Sequence, residues 1–314
     1  MREIGGYIEL ETFRSPMMYD DGKKLNCGRN AFAYLIESRN IKKVCFPKMM
    51  CDSDEKVLGS HDLEVRYYSI GRDLKPVDIG LGEDEWLYVV NYYGQLSEED
   101  ILALKKKYDR IIVDNAHAYF QKPLPGIDTI YTCRKFFGVP DGAILYTDSE
   151  IERELPYDES YGRMNFLIGR YERPASEFYS EYAANNDVFF AEPLKRMSRL
   201  TENLLHGIDY DFTEKRRTDN FRLYHKELEA VNRLSLRVPD GAFMYPLYIE
   251  NGRDLKKKLI GMKIYTPTLW PNVLENCNES DTEYDLAENI VPLPCDQRYS
   301  SDDINYVIEA IRNV

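Results

Sequence analysis

The sequence lacks a long apolar segment. Across its 314 residues the longest unbroken apolar run covers only residues 31–36, whereas a membrane-spanning helix needs about 20 apolar residues. The first residues also contain no apolar stretch of the kind that forms the core of a signal peptide. We therefore expect neither a membrane partner nor export.

Paired cysteines are missing as well. The six cysteines form no Cys-x-x-Cys pair and do not cluster with the four histidines, so we predict no metal site and no disulfide framework. Thiols scattered along a chain are typical of proteins in a reducing cytoplasm. We expect a cytoplasmic protein.

Positive charge is in short supply. Lys and Arg total 41 against 54 Asp and Glu, which gives a formal net charge of −13. Proteins that bind nucleic acid present a basic face to its phosphates, and the basic runs at residues 105–107 and 256–258 are short and fit exposed helix faces. We expect no nucleic-acid partner, whereas one local pocket can still bind a small anion.

The first half of the chain contains short apolar runs that alternate with helical patterns. Residues 97–108 have helical spacing, with Ser97 as a candidate N-cap. This alternation predicts an α/β layer with a mostly parallel sheet. The predicted strands are residues 43–46, 63–68, 86–92, 110–113, 127–132 and 142–147.

The second half has a different pattern, with longer helices and fewer strands. We predict a larger α/β domain over residues 1–168, a helical connector over 169–209 and a smaller α+β domain over 210–314. The elements predicted after residue 169 are a helical stretch at 170–207 broken near residues 185–186 and 193, a helical stretch at 213–232, a strand at 242–249, a helix at 252–261, a loop-rich region at 265–294 and a last helix at 301–313.

Three features of the first half could carry chemistry. Asp114 ends a predicted buried strand, where α/β folds bind ligands, and His117 follows three residues later. Thr132 ends another strand and is followed by Lys135, whose pKa the neighbouring Phe136 and Phe137 would lower by desolvation. The third feature is residues 28–31, where a glycine precedes a helix whose free amides suit a phosphate.

Each feature has a commonplace meaning when it is taken alone. An Asp after a strand often caps a helix, and a Lys at a strand end usually extends its amine to solvent. A single glycine before a helix is a weak signal. Together, however, a phosphate-binding helix start, a strand-end Asp and a hydroxyl-x-x-Lys are the parts that pyridoxal phosphate needs.

The combination resembles the fold-type-I pyridoxal-phosphate enzymes and, within them, the DegT/StrS-like sugar aminotransferases. Residues 28–31 (Gly-Arg-Asn-Ala) resemble the family's Ser-Gly-Thr-x-Ala phosphate turn, and residues 114–118 (Asp-Asn-Ala-His-Ala) its Asp-x-Ala-His/Gln-Ala motif. Residues 91–94 resemble its His-x-x-Gly strand end, and residues 290–294 followed by 299–311 resemble its closing pattern. The resemblance spans about residues 25–314.

The resemblance implies a fold and roles for individual residues. The fold is a three-layer α/β/α large domain with a mostly parallel sheet and a small C-terminal α+β domain. Lys135 would form the Schiff base with pyridoxal 5'-phosphate, Asp114 would pair with the ring nitrogen, and His117 would contact the ring or its 3′ oxygen. The other cofactor-binding residues that the resemblance implies are Gly28, Arg29, Asn30, Met50, Cys51, Asn91 and Thr132.

The function implied by the resemblance is an aminotransferase. It would move an amino group from a donor such as glutamate to a ketosugar, linked to a nucleotide, in surface-polysaccharide or secondary-metabolite biosynthesis. A homodimer is implied, and the 25 tyrosines have a candidate use at its interface. Retention of Lys135 argues against the family's dehydratase branch, which carries His there.

The sequence also departs from the family pattern. Met50 and Cys51 stand where a stacking aromatic follows Pro47, and Asn91 replaces the usual His. The segment that family members lend to the partner subunit's phosphate is not evident, and the chain is short. These departures motivate a second hypothesis, a weak or inactive homologue that binds pyridoxal phosphate or a sugar nucleotide. A doubly wound protein without this cofactor is a third.

Overall fold

An eight-stranded mixed sheet forms the centre of the chain in the computed structural model, which describes residues 4–51, 57–77 and 79–313. Its strand order is β1-β8-β7-β6-β5-β2-β3-β4. The strands are β1 (Lys23–Leu25), β2 (Lys43–Pro47), β3 (Glu64–Ile70), β4 (Pro76–Val77), β5 (Glu85–Val90), β6 (Ile111–Asp114), β7 (Asp128–Thr132) and β8 (Ala143–Tyr146). The predicted α/β class with a mostly parallel sheet is confirmed.

The middle five strands, β7, β6, β5, β2 and β3, run parallel to one another. Every residue of β6 is buried, as expected for a strand with other elements on both faces. In the register of the sheet Val90 lies opposite Asp114, and Asp114 lies opposite Ile130. The carboxyl ends of these strands therefore meet at one edge.

The two outer strands on the other side bring the helix after β1 to that same edge. Strand β1 is antiparallel to β8, and β8 is antiparallel to β7. Because two reversals restore the direction, β1 runs in the sense of β7, and its carboxyl end lies with those of the parallel strands. The helix that begins at Gly28 therefore starts at this edge.

Helices surround the sheet and build the second half. They are α1 (Gly28–Ser38), α2 (Glu98–Tyr108), α3 (Asn165–Glu172), α4 (Tyr179–Val188), α5 (Arg199–Leu205), α6 (Tyr210–Leu228), α7 (Gly252–Gly261), α8 (Val273–Asn276), α9 (Thr282–Asn289) and α10 (Ser301–Arg312). The predicted N-cap of α2 is confirmed: Ser97 accepts a hydrogen bond from the Asp100 N–H, and Asp100 returns one to the Ser97 N–H. Within the described residues no helix is long and apolar enough to span a membrane.

Two hydrophobic cores hold the chain together. The larger one covers both faces of the main sheet. The smaller one lies around a two-stranded antiparallel sheet, β9 (Met244–Tyr248) with β10 (Ile290–Pro294), and is completed by side chains of α6, α7 and α10. The boundaries that we predict for the three parts of the chain stay predictions.

Parts of the sequence-based element assignment are wrong. Strands β1 and β4 were not predicted, because segments of three and two residues give no readable periodicity. In the stretch predicted as helical over 170–207, the break predicted near Pro193 is present between residues 189 and 198. The break predicted near 185–186 falls inside α4, and a break at 173–178 was not predicted. The region predicted to be rich in loops contains strand β10 and helices α8 and α9.

Candidate active site

Four of the residues predicted for the site lie at the carboxyl edge of the parallel strands. Asn91 follows β5, Asp114 ends β6, Thr132 ends β7 and Gly28 begins α1. Backbone bonds continue the ladder past the strand ends: the Asn91 N–H donates to the Asp114 carbonyl at 3.0 Å and the Asn115 N–H to the Ile130 carbonyl at 2.8 Å. This edge is where open α/β sheets bind ligands.

Asp114 is a buried carboxylate with only 8% of its surface exposed. One oxygen accepts the Tyr88 hydroxyl at 3.1 Å, and the other accepts the Ala116 N–H at 2.8 Å. Burial raises the pKa of Asp114, while the positive charge of Lys135 and the two hydrogen bonds act in the opposite direction. Asp114 therefore sits in the electrostatic field of Lys135 with few donors of its own.

His117 is buried beside Asp114 among aromatic rings. Its Nδ1 accepts the Tyr93 N–H at 3.4 Å, and its ring stacks on Phe243 at a centroid distance of 4.3 Å. Burial, helped by the charge of Lys135, lowers the pKa of His117 well below its usual value. The imidazole is therefore neutral at pH 7, and because Nδ1 accepts, Nε2 carries the proton.

Lys135 ends a short 3₁₀ turn, Cys133–Lys135, that follows β7 directly. The side chain is exposed, and its Nζ lies 5.6 Å from the centre of the Phe243 ring. Within the described part of the chain it makes no ion pair with a carboxylate. The expected desolvation by Phe136 and Phe137 is not seen, because both rings turn inward and pack against Tyr119.

The start of α1 has no side-chain cap. The side chain of Cys27, at the N-cap position, makes no capping hydrogen bond to the first turn, so the first amides of the helix face the sheet edge without a side-chain cap. A Cβ placed on Gly28 would meet only Ile130, at 4.0 Å. Thr132, at the end of the neighbouring strand, is half-buried and also caps nothing with its hydroxyl.

The Arg29 side chain packs against the segment that follows α4. Its guanidinium stacks on Phe190 at 4.3 Å, and its Nη1 is buried without a partner among the described residues. Together with Phe190 and Pro193 it lines a cavity of about 350 Å³. Asn30 lies on the same side and donates to the Pro193 carbonyl at 2.8 Å and to Asn26 at 2.9 Å.

The remaining predicted residues are held by protein partners. The Asn91 amide donates to Asn115 at 3.0 Å and to Gln121 at 2.8 Å, and its oxygen accepts the Leu96 N–H at 2.9 Å. Met50 is buried, and its carbonyl accepts the Asn272 amide at 2.9 Å. Cys51 is half-buried. Protein groups therefore occupy the Asn91 side chain and the Met50 carbonyl.

Sequence reasoning missed two side chains that contact the site. Tyr88, the donor to Asp114, is one residue in an apolar strand, and Phe243 comes from the bend before β9. A third side chain, Trp270, also packs there: its ring lies 5.7 Å from that of His117 and packs against Tyr93. No local pattern connects Phe243 or Trp270 with His117, since the contacts form only when the two halves of the chain meet.

Comparison with solved structures finds the same fold in sugar aminotransferases. CalS13 from Micromonospora echinospora superposes with a TM-score of 0.62 at 16% identity, over 93% of this chain and 86% of that one. DesV from S. venezuelae, solved with a ketimine intermediate, gives 0.64 at 14% identity, over 93% and 84%. The PLP form of Spr1654, a sugar aminotransferase from Streptococcus pneumoniae, gives 0.64 at 15% identity, over 94% and 88%.

These superpositions show a common fold. A DegT DnrJ EryC1 StrS aminotransferase from Brucella abortus matches in the same way, with a TM-score of 0.59 at 16% identity over 93% of this chain. No family model and no curated protein matches the sequence. The predicted resemblance to this group is confirmed at the level of the fold.

Proposed function

We propose that this chain is a pyridoxal-phosphate-dependent aminotransferase that transfers an amino group to a ketosugar. The observation that carries the proposal is the placement of Asp114 and Lys135: both follow parallel strands at one sheet edge, and the charge of Lys135 acts on the buried Asp114 carboxylate. The fold, shared with sugar aminotransferases, supports the same reading.

The donor set at this edge fits pyridoxal phosphate. Asp114 offers a buried carboxylate with unused acceptor capacity, which suits a protonated ring nitrogen. Lys135 offers an amine that forms no ion pair with a carboxylate of the described chain. The uncapped start of α1 and the Thr132 hydroxyl suit a phosphate. When bound, the cofactor supplies an electron sink for the carbon that loses its proton.

Each side chain then has a distinct task. Lys135 would hold the cofactor through its amine, and its Nζ would accept and return the proton that the carbon of the amino donor loses. Asp114 would hold the proton of the ring nitrogen, because a carboxylate in a buried site favours a neighbouring positive charge. His117, neutral with its proton on Nε2, can donate to an oxygen of the ring.

The substrate class and assembly are also proposed. A ketosugar linked to a nucleotide, with glutamate as amino donor, agrees with the names of the matched structures, which are sugar aminotransferases. A homodimer is supported by the exposed tyrosines Tyr161, Tyr171 and Tyr179, because tyrosine is enriched at interfaces. A cytoplasmic place in polysaccharide or secondary-metabolite biosynthesis completes the proposal. Gel filtration at micromolar concentration tests the dimer, and a monomer there would count against it.

The decisive experiment is covalent trapping. Wild-type protein mixed with pyridoxal phosphate should develop a visible band that borohydride abolishes, and peptide mass mapping should then find the reduced adduct on Lys135. The Lys135→Ala variant should give neither the band nor the adduct. Lys106→Ala, which removes a charge from the outer face of α2, is the matched control and should behave like wild type. An adduct that survives in Lys135→Ala would overturn the assignment.

A second function, cofactor binding without turnover, is favoured by one observation. The polar atoms of the Asn91 side chain are all engaged by protein groups, so Asn91 has no donor left for a ligand. Spectra with glutamate separate the two functions. An aminotransferase converts the visible band to the amine form of the cofactor, whereas a binding protein retains the band with every amino donor.

A further inference from the structure

Arg217 is a buried cation that the roles above do not use. It lies in α6 with 2% of its surface exposed. Within the described residues its hydrogen bonds all go to neutral groups and none to a carboxylate. Burial lowers the pKa of Arg217 to about 10, so the guanidinium still carries its charge at pH 7–8.

One end of this guanidinium holds the turn that carries Lys135. Nη2 donates to the Phe136 carbonyl at 3.1 Å, and the Phe136 ring lies 4.6 Å from the guanidinium carbon. The Gln297 amide donates to the same carbonyl at 2.9 Å, and its oxygen accepts from Nε of Arg217 at 2.7 Å. The two side chains and the Phe136 carbonyl form a closed triangle, and Phe136 is the residue that follows Lys135.

The other end holds the segment that lies over the site. Nη1 donates to the Ala242 carbonyl at 3.0 Å and to the Phe243 carbonyl at 3.4 Å. The Phe243 ring in turn stacks on His117 and lies beside the Lys135 amine. A single side chain therefore connects the Lys135 turn with the aromatic residue that contacts both Lys135 and His117.

Stability alone is a poor reason for this arrangement. Asp296 acts on Arg217 through its charge but is not hydrogen-bonded to it. A buried charge without a hydrogen-bonded carboxylate costs free energy, and an apolar side chain of similar volume often serves a core as well or better. What an apolar residue cannot do is bond three carbonyls from two segments at fixed angles. The planar fork of arginine does so, and the shorter reach of a lysine ammonium does not.

We propose that Arg217 is a positioning residue for Lys135: it fixes the Lys135 turn relative to Phe243 and His117. The inference rests on the proposed function. A displaced amine meets the cofactor at the wrong distance, and a misplacement of about 1 Å can cost about 100-fold in rate. Arg217 itself touches neither substrate nor cofactor.

The test compares four variants after loading with pyridoxal phosphate. Arg217→Met removes every donor, Arg217→Lys keeps the charge but not the fork, and Gln297→Leu opens the triangle while Arg217 stays. Arg216→Met is the control: among the described residues, the Arg216 guanidinium makes only a 3.4 Å contact with the Tyr299 carbonyl and a stack on Phe212. Measurements are kcat and KM for glutamate, the visible circular dichroism per bound cofactor, and Tm.

We expect Arg217→Met to lower kcat by about 10- to 100-fold, with KM changed less than about threefold. Its visible dichroism per bound cofactor should fall by at least half, because a displaced Lys135 would hold the cofactor at a different angle. Arg217→Lys and Gln297→Leu should show smaller losses of kcat and of visible dichroism. Arg216→Met should match wild type in both quantities. If Arg217→Met does not fold, Gln297→Leu and Arg217→Lys decide.

Two outcomes overturn the inference, and they can be told apart. A lower Tm with unchanged kcat and dichroism in the Arg217 and Gln297 variants would mean that the cluster is only structural. A wild-type protein that forms no adduct at Lys135 would remove the proposed function and this inference with it.

Discussion

Two buried aspartates at the same sheet are bonded very differently. Asp141, before β8, has no exposed surface and accepts three hydrogen bonds: from the Ser198 N–H at 2.8 Å, the Ser198 hydroxyl at 2.7 Å and the Thr201 hydroxyl. Asp114, at the end of β6, accepts two, and its strongest opposite charge is Lys135. One carboxylate anchors α5, while the other retains capacity for a ligand.

The contrast separates the two meanings of a buried charge. When donors from a neighbouring helix surround a buried carboxylate, their hydrogen bonds offset the cost of removing it from water and stabilise the fold. A carboxylate whose pKa is raised by burial destabilises the empty protein and gains only when a positive group binds. Matched substitutions should therefore have different effects: the one at Asp114 should lower activity, and the one at Asp141 should lower stability.

The largest effect is expected at Asp114. Asp114→Asn should lower transamination by about 100- to 1000-fold, the usual cost of removing one preorganised electrostatic contact in a reaction site. Its thermal midpoint should stay the same or rise, because the amide avoids the cost of a buried charge. Initial rates with glutamate and differential scanning calorimetry check both halves. Unchanged rates would remove Asp114 from the site.

Asp141→Asn should give the reverse result. The amide presents N–H groups to donors, so at least one of the bonds from Ser198 is lost, and the free energy of unfolding should fall by about 2–3 kcal/mol. Activity per folded molecule should remain within about twofold. Urea denaturation and active-site titration measure the two quantities. A variant that keeps its stability would show that the Asp141 network carries little of the fold.

The smallest effect concerns His117 and pH. Its pKa is lowered in the folded state, so the native protein resists binding a proton that the unfolded chain takes up. Stability is therefore fully present above pH 6.5 and is lost as the pH falls below it, by up to about 1.4 kcal/mol per pH unit for one proton.

His117→Asn should remove that contribution. Between pH 6 and pH 5 the stability of the variant should decline less steeply than that of wild type, when both are measured by urea denaturation without cofactor. His61→Asn is the control, since the half-buried ring of His61 lies outside the aromatic cluster at the site. Parallel pH profiles for wild type and His117→Asn would mean that the ring is protonated in the folded protein.

The sequence was most informative where local chemistry determines structure. Apolar runs bounded by polar residues marked β2, β5, β6 and β7, and because parallel strands end at one edge, Asp114 and Thr132 could be placed together in advance. Ser97 caps its helix as predicted, since the signal for a cap lies within four consecutive positions.

Strand β10 shows why other parts could not be predicted. It contains two prolines, which usually argue against a strand because proline lacks an N–H. In the structure Pro292 lies opposite Pro246 in a sheet of only two strands, so each strand has a free edge where a missing donor costs nothing. That register depends on a partner more than forty residues away in the sequence.

The aromatic and cationic surroundings of the site were equally out of reach. Phe243 meets His117, and Arg217 meets Phe136, only after the second half of the chain has folded onto the first. Nothing in the neighbouring sequence of either residue marks it as part of the site. Side chains that contact the site across long separations carry no local signature, whereas strand ends do.

The pairing of the first strand with the last strand of the main sheet has a consequence for biosynthesis. Strand β1 pairs with β8. During translation, residues 23–25 therefore cannot enter the sheet until residues 143–146 have been synthesised. The start of α1 cannot be fixed at the site until the ribosome has already passed Lys135. Pairing between segments far apart in the sequence slows folding. A nascent chain released before residue 143 would retain an unpaired β1, which chaperones would have to cover.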